Sequence, residues 1–111
     1  MAVDCRFPQT LRLKKNKEFK FVIESGRKYY YNSVMLFIQK QMDTKIGIAV
    51  SSKRIRKATQ RNRIKRLIRE IIRCNKDILP DKNHIVLFYN KSNVESYNIL
   101  ENDVRKLFRK I

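Results

Sequence analysis

The chain has 111 residues, 42% of them hydrophobic, which suits one domain around one core. It carries 27 Lys and Arg against 10 Asp and Glu, a formal net charge of +17. A charge of that size opposes compaction and calls for a polyanionic partner, nucleic acid before membrane, since no apolar run approaches the roughly 18 residues of a spanning helix.

The first ten residues, MAVDCRFPQT, lack the apolar core of a secretory signal, so a cytoplasmic location is expected. Cys5, Cys74 and His84 form no short-spaced ligand pair, which argues against a zinc site and for free thiols. With only two Gly and two Pro and no internal repeat, residues 1–111 read as a single RNA-binding domain.

Residues 1–14 read as irregular, with Phe7-Pro8 as an anchor. Asn16 can cap a short helix ending before Gly26, which suits a left-handed C-terminal position; Phe19, Val22 and Ile23 share one face. Residues 27–31, RKYYY, read as a strand, as do Ser33–Lys40 and Lys45–Val50, with Gln41–Thr44 short enough for a hairpin. A long basic helix is expected from about Lys57–Gln60 to Cys74. Leu79-Pro80-Asp81 then punctuates, and His84–Tyr89 reads as a strand. Ser92 with Glu95 resembles a capping box, Ser96 being the alternative cap. The last helix presents Leu100, Val104, Leu107, Phe108 and Ile111 as its apolar face. The order α-β-β-β-α-β-α gives an α+β sandwich, a sheet of about four strands with helices packed on it.

Lys53–Arg73 holds ten of the 27 cations and one acid, Glu70. With Ile64 at 0° and 100° per residue, Ile64, Leu67, Ile68, Ile71 and Ile72 fall between about 300° and 80°. Asn62, Lys65, Arg66, Arg69 and Arg73 fall between about 100° and 200°, opposite the apolar stripe. Glu70 lies within reach of Arg66, and Arg61 sits at the stripe's edge, able to lie across the sheet with its guanidinium free. A solvated helix face normally mixes both signs, whereas Arg61, Lys65, Arg69 and Arg73 repeat one sign at i,i+4, which destabilises an isolated helix. The face is therefore read as a nucleic-acid contact. Asn62 adds a group that both donates and accepts, fit for a phosphate or a 2′-hydroxyl. Phe19, Tyr29, Tyr30, Tyr31, Phe37, Phe88 and Tyr89 lie on or beside the expected sheet. Aromatics beside a cationic groove can stack unpaired bases. Phe88 and Phe108 are read as core, whereas Phe19 and Phe37 are open to either role.

At Arg61-Asn62-Arg63-Ile64-Lys65-Arg66 the chain resembles the protein subunit of bacterial ribonuclease P, matching that family's RNR signature. Leu67-Ile68-Arg69-Glu70 continues the match. The likeness extends to Phe7-Pro8 through Leu11-Arg12-Leu13, to Phe19 through Gly26, and to Gly47-Ile48-Ala49-Val50. Ile55-Arg56-Lys57-Ala58 follows the proteobacterial style of the basic loop. The resemblance implies a mixed sheet with a left-handed β-α-β crossover, an exception to the usual right-handed rule. It implies a ribonucleoprotein endonuclease, a hydrolase of tRNA processing, in which the protein binds the catalytic RNA and the 5′ leader of precursor tRNA. The RNA subunit would hold Mg²⁺ and perform the hydrolysis, with no metal bound by a protein motif. Lys53, Arg54, Arg56, Lys57, Arg61, Asn62, Arg63, Lys65, Arg66, Arg69 and Arg73 inherit the contact with the catalytic RNA. Phe19, Ile23 and Phe37 inherit the leader cleft. Ile23 stands where an aromatic is common, and Ser52 where the loop often has its first Lys. No catalytic residue, membrane or obligate protein partner is implied. A structural RNA-binding protein of the ribosomal type is the alternative. A protein-only nuclease needs clustered acids, and the ten here are scattered.

Overall fold

The computed structural model describes residues 12–13, 15–32, 34–80 and 82–111. Cys5 and the Phe7-Pro8 anchor lie outside the described residues. The elements are α1 (Asn16–Ser25), β1 (Arg27–Tyr31), β2 (Val34–Lys40), β3 (Lys45–Val50), α2 (Ala58–Cys74), β4 (Asn83–Tyr89) and α3 (Tyr97–Arg109). The expected order of elements stands.

The strands form one mixed sheet in the order β1-β2-β4-β3. β2 pairs antiparallel with β1 and with β4, while β3 runs parallel to β4. The expected hairpin between β2 and β3 is absent, because β4 enters between them. The Gln41–Thr44 link spans that intervening strand, roughly 10 Å from β2 to β3. Its polar groups turn to the residue before β4: Gln41 N–H donates to the Lys82 carbonyl at 2.8 Å, and Lys82 N–H to Thr44 Oγ1 at 2.8 Å.

Alternation along the strands sorts side chains to two faces. Val34, Leu36, Ile38, Ile46, Ile48, Val50, Ile85, Leu87 and Tyr89 form one face and bury against α2 and α3. α2 lies towards β3, and α3 lies over β1 and β2. On the opposite face Phe37 and Val86 pack with Leu13 and Val22, with Phe19, Met35 and Phe88 partly buried around them. α1 crosses that face over β2 and β4. Phe88 is thus half-buried rather than core, since α1 leaves its end of the face open.

Several local expectations change. Gly26 is extended (φ −81°, ψ 165°), not left-handed. A Cβ there would stand 2.5 Å from the Val22 carbonyl oxygen and 2.7 Å from that of Ile38, so glycine serves close backbone approach. Asn16 is the first helical residue; Lys15 occupies the cap position with no side-chain bond. Ser96 caps α3, its Oγ accepting from Ile99 N–H at 3.4 Å. Glu95 is instead buried, paired with Lys91, and its N–H donates to the Tyr89 hydroxyl at 3.2 Å. That hydroxyl donates to the Asn93 carbonyl at 2.5 Å. Desolvation pushes the Tyr89 phenol above its ordinary value. Ile111, expected on the apolar face of α3, is half exposed just beyond the helix.

The end of α2 is clasped to α3 through Asn75. Its side-chain amide donates to the Ile71 carbonyl at 2.7 Å and to Glu101 at 3.1 Å, and Arg105 donates to its Oδ1.

Candidate nucleic-acid interface

α2 forms where the apolar stripe can be buried. Ile64, Ile68, Ile71 and Ile72 are fully buried, and Leu67 is half-buried at the margin. Burying four such side chains contributes on the order of 6–12 kcal/mol. This offsets the mutual repulsion of the cations on the other side. The first turn holds no acid. The positive end of the helix dipole therefore points into a region of positive side chains, a favourable place for an anion.

The loop before α2 is held from both ends. Ile55 is buried, and its N–H donates to the Ser51 carbonyl at 3.0 Å, while Arg54 N–H reaches Ser51 Oγ at 3.3 Å. Arg61 Nη1 donates to the carbonyls of Ile55 at 2.8 Å and Arg56 at 2.7 Å. The Arg61 guanidinium is therefore engaged, not free as expected: it ties the loop to the helix. With the loop so fixed, Ser52, Lys53, Arg54, Arg56 and Lys57 all face solvent.

The remaining polar and cationic side chains of α2 are placed differently from one another. Asn62, Arg63 and Arg66 are exposed and line an open recess of about 310 Å³ with Thr59 and Gln60. Arg69 is half-buried and lines a different recess of about 270 Å³, with Arg12, Phe19 and Gly47. Burial first, and then the neighbouring Arg12, hold the Arg69 guanidinium below its ordinary pKa. Lys65 is half-buried. Arg73 pairs with Glu70 at 3.4 Å, which corrects the expected Glu70–Arg66 pair. Three residues on is reachable as well as four, and among the described residues this leaves Arg66 without an acid.

In the second recess the Phe19 ring lies against Gly47. A Cβ at Gly47 would stand 2.4 Å from Phe19 Cε1 and Cζ. The segment before α1 completes the recess: Leu13 N–H donates to the Ile46 carbonyl at 2.8 Å, and Arg12 bridges to Ile46 in parallel. Phe37 is buried beneath α1, whereas Ile23 is exposed on α1. Of the three expected leader residues, only Phe19 lines this recess. Phe21, half exposed on α1, and Arg12 fall within segments that resemble the family but were given no site role by sequence.

The remaining chemistry is sparse. Among the described residues no group of three or more His, Cys, Asp and Glu is placed to hold a metal ion, and no helix is long and apolar enough to cross a membrane. Cys74 is exposed at the end of α2. His84 Nε2 lies 2.8 Å from Asp43 Oδ1, and Lys45 lies between Asp43 at 3.9 Å and Glu18 at 3.8 Å.

A mixed sheet with a cationic helix on one face and an aromatic recess at its edge defines a basic α+β protein of the RNA-binding class. The family model described as Ribonuclease P matches residues 7–111, and the chain belongs to that family. The ribonuclease P protein component of Clostridium kluyveri is 36% identical over 104 residues, covering 89% of this chain and 92% of its relative. That of Desulforapulum autotrophicum is 38% identical over 110 residues, covering 95% and 92%. The solved ribonuclease P protein of Thermotoga maritima superposes with a TM-score of 0.78 at 29% identity, covering 90% of this chain and 96% of the other. The role is therefore that of the protein component of an RNA-processing enzyme, with ribonuclease P RNA as partner. The ribosomal-type alternative is not favoured.

Proposed function

We propose that the exposed cations of α2 and its preceding loop hold the catalytic RNA, and that the recess around Phe19 holds the 5′ leader of precursor tRNA. The observation that carries this reading is the division of the α2 cations. Asn62, Arg63 and Arg66 face outward beside Lys57, whereas Arg69 turns to the Phe19 recess. A row of exposed cations suits a phosphate backbone. Two half-buried guanidinium groups, Arg12 and Arg69, beside an aromatic ring suit one unpaired nucleotide, phosphate to Arg69 and base to Phe19. Ile23 and Phe37 flank this site, the first as an exposed apolar contact and the second as the support beneath α1. Hydrolysis belongs to the RNA, which also holds Mg²⁺, and the protein acts by binding and positioning.

Reconstitution tests this. Protein alone should leave precursor tRNA intact, and adding the catalytic RNA should give cleavage at low Mg²⁺. Arg66→Ala should flatten the salt dependence of RNA binding by roughly 0.7–0.9. Phe19→Ala should weaken binding of leader-bearing substrate by roughly 1–3 kcal/mol and leave mature tRNA unaffected. Cleavage by the protein alone, or equal loss for both substrates, would overturn the assignment.

A further inference from the structure

A second cationic surface lies away from α2, where α3 meets β1. Lys106 Nζ and Lys110 Nζ sit 5.3 Å and 5.4 Å from the centroid of one ring, Tyr31. Lys106 also donates to the Tyr31 hydroxyl at 3.1 Å, and Lys110 to the Tyr30 carbonyl at 3.0 Å. Each ammonium has three donors, so each keeps two for a ligand. The two ammonium groups are thereby fixed near each other on an exposed margin.

Among the described residues no acid pairs with them. β1 contains none, and both acids of α3 turn inward: Glu101 to Asn75 and Tyr97, and buried Asp103 to Asn32. Neither lysine, nor Arg27, takes part in an ion pair among the described residues. Arg27, Tyr29 and Tyr31 alternate onto one face of β1. Below the lysines, Arg27, Tyr29 and Lys40 line a recess of about 370 Å³. Cations and aromatic rings therefore follow one another along β1 for roughly 13 Å, in line with the strand.

We propose that this β1–α3 margin is a second RNA contact, which takes a phosphodiester backbone between Lys106 and Lys110 and leads it towards Arg27. Its strand, β1, lies roughly 14 Å across the sheet from β3, the strand that α2 packs towards. The molecule measures 40 × 35 × 26 Å, so one structured RNA held at α2 can extend to this margin. The inference rests on the reading that the partner is RNA. A phosphate placed between the two lysines relieves their mutual repulsion, and the tyrosines flanking it offer faces to bases.

The test is binding of the transcribed catalytic RNA across a salt series, in one arm alone and in a second with precursor tRNA present. Lys106→Gln/Lys110→Gln should reduce the salt slope by roughly 0.7–0.9, the worth of the one phosphate they share, in at least one arm. Lys106→Arg/Lys110→Arg should bind as the parent does. Arg27→Gln, away from α3, should reduce the slope by about 0.7–0.9 and carries the test if the double variant unfolds. An unchanged slope in both arms, while Arg66→Gln still flattens it, overturns this inference and leaves the α2 assignment standing. Loss in the Lys→Arg variant with an unchanged melting curve also overturns it. Absence of binding by the parent protein would remove both readings.

Discussion

Two residues, one on β3 and one on α2, act on the fold. Gly47 leaves room for the Phe19 ring, which a Cβ would meet at 2.4 Å. Gly47→Ala should force the ring out of its recess at a cost of about 1–3 kcal/mol. It should also weaken leader-bearing substrate as Phe19→Ala does; denaturant unfolding and binding of precursor against mature tRNA check the two effects. Arg61 donates to two loop carbonyls, so Arg61→Ala should cost about 2 kcal/mol of stability. Arg66→Ala, exposed and without an acid partner, should stay within about 0.5 kcal/mol in the same melts. Two neighbours in one signature are thus expected to fail differently, one through the fold and one through RNA affinity.

At the scale of elements, two polar clasps join segments distant in sequence. Asn75 links the end of α2 to α3, and Asn75→Ala would leave Arg105 and the Ile71 carbonyl without it. About 1–3 kcal/mol should be lost in thermal melts, although no apolar contact of the core is removed. The second clasp joins the Gln41–Thr44 link to β4 through Asp43 and His84. The hydrogen bond from His84, and then the charges of His84 and Lys45, hold the Asp43 carboxyl below its ordinary value of 3.8. A depressed carboxyl contributes stability that is present above pH 3.8 and is lost as the pH falls through the folded value. Asp43→Asn should therefore lessen the acid sensitivity of unfolding below that pH and leave the profile near pH 7 almost flat, as urea titrations at each pH would report. Elements of this kind were unequally legible. β1 and β3 were readable to the residue because β-branched and aromatic runs bounded by turn residues have few alternatives, and the α2 stripe followed from its period. The partner of β3 was not readable, since a four-residue link serves either a hairpin or a step across one strand. The division of Arg66 from Arg69 was also invisible, because a helical wheel gives an angle, whereas Arg12, Phe19 and Gly47 arrive from other segments. Arg61 was misjudged for the same reason: its acceptors are backbone oxygens of a preceding loop.

For the whole molecule, a formal charge of +17 on 111 residues sets the solution behaviour. Cations at α2 and at the β1–α3 margin repel within the folded state, and an anion that binds only that state stabilises it by mass action. Sodium sulfate should raise the melting temperature by roughly 4 °C or more over sodium chloride at equal ionic strength. Equal gains in the two salts would mean screening alone. Replacing Lys106 and Lys110 with Gln should shrink the sulfate effect.

The central position of β4 also governs the order in which the chain can fold during synthesis. β3 and α2 leave the ribosome before residues 83–89, the strand that β3 pairs with along its length. Until then the stripe of Ile64, Ile68, Ile71 and Ile72 has no complete sheet to cover. Folding must wait for a late, non-local pairing, the kind that closes slowly. A released fragment of residues 1–80 should remain sensitive to protease across α2, whereas residues 1–111 should be resistant there. The cationic helix is thus translated before the strand that fixes it in place. Catalytic RNA present at that moment would meet a cationic segment still free to choose its conformation, and assembly could begin before folding ends.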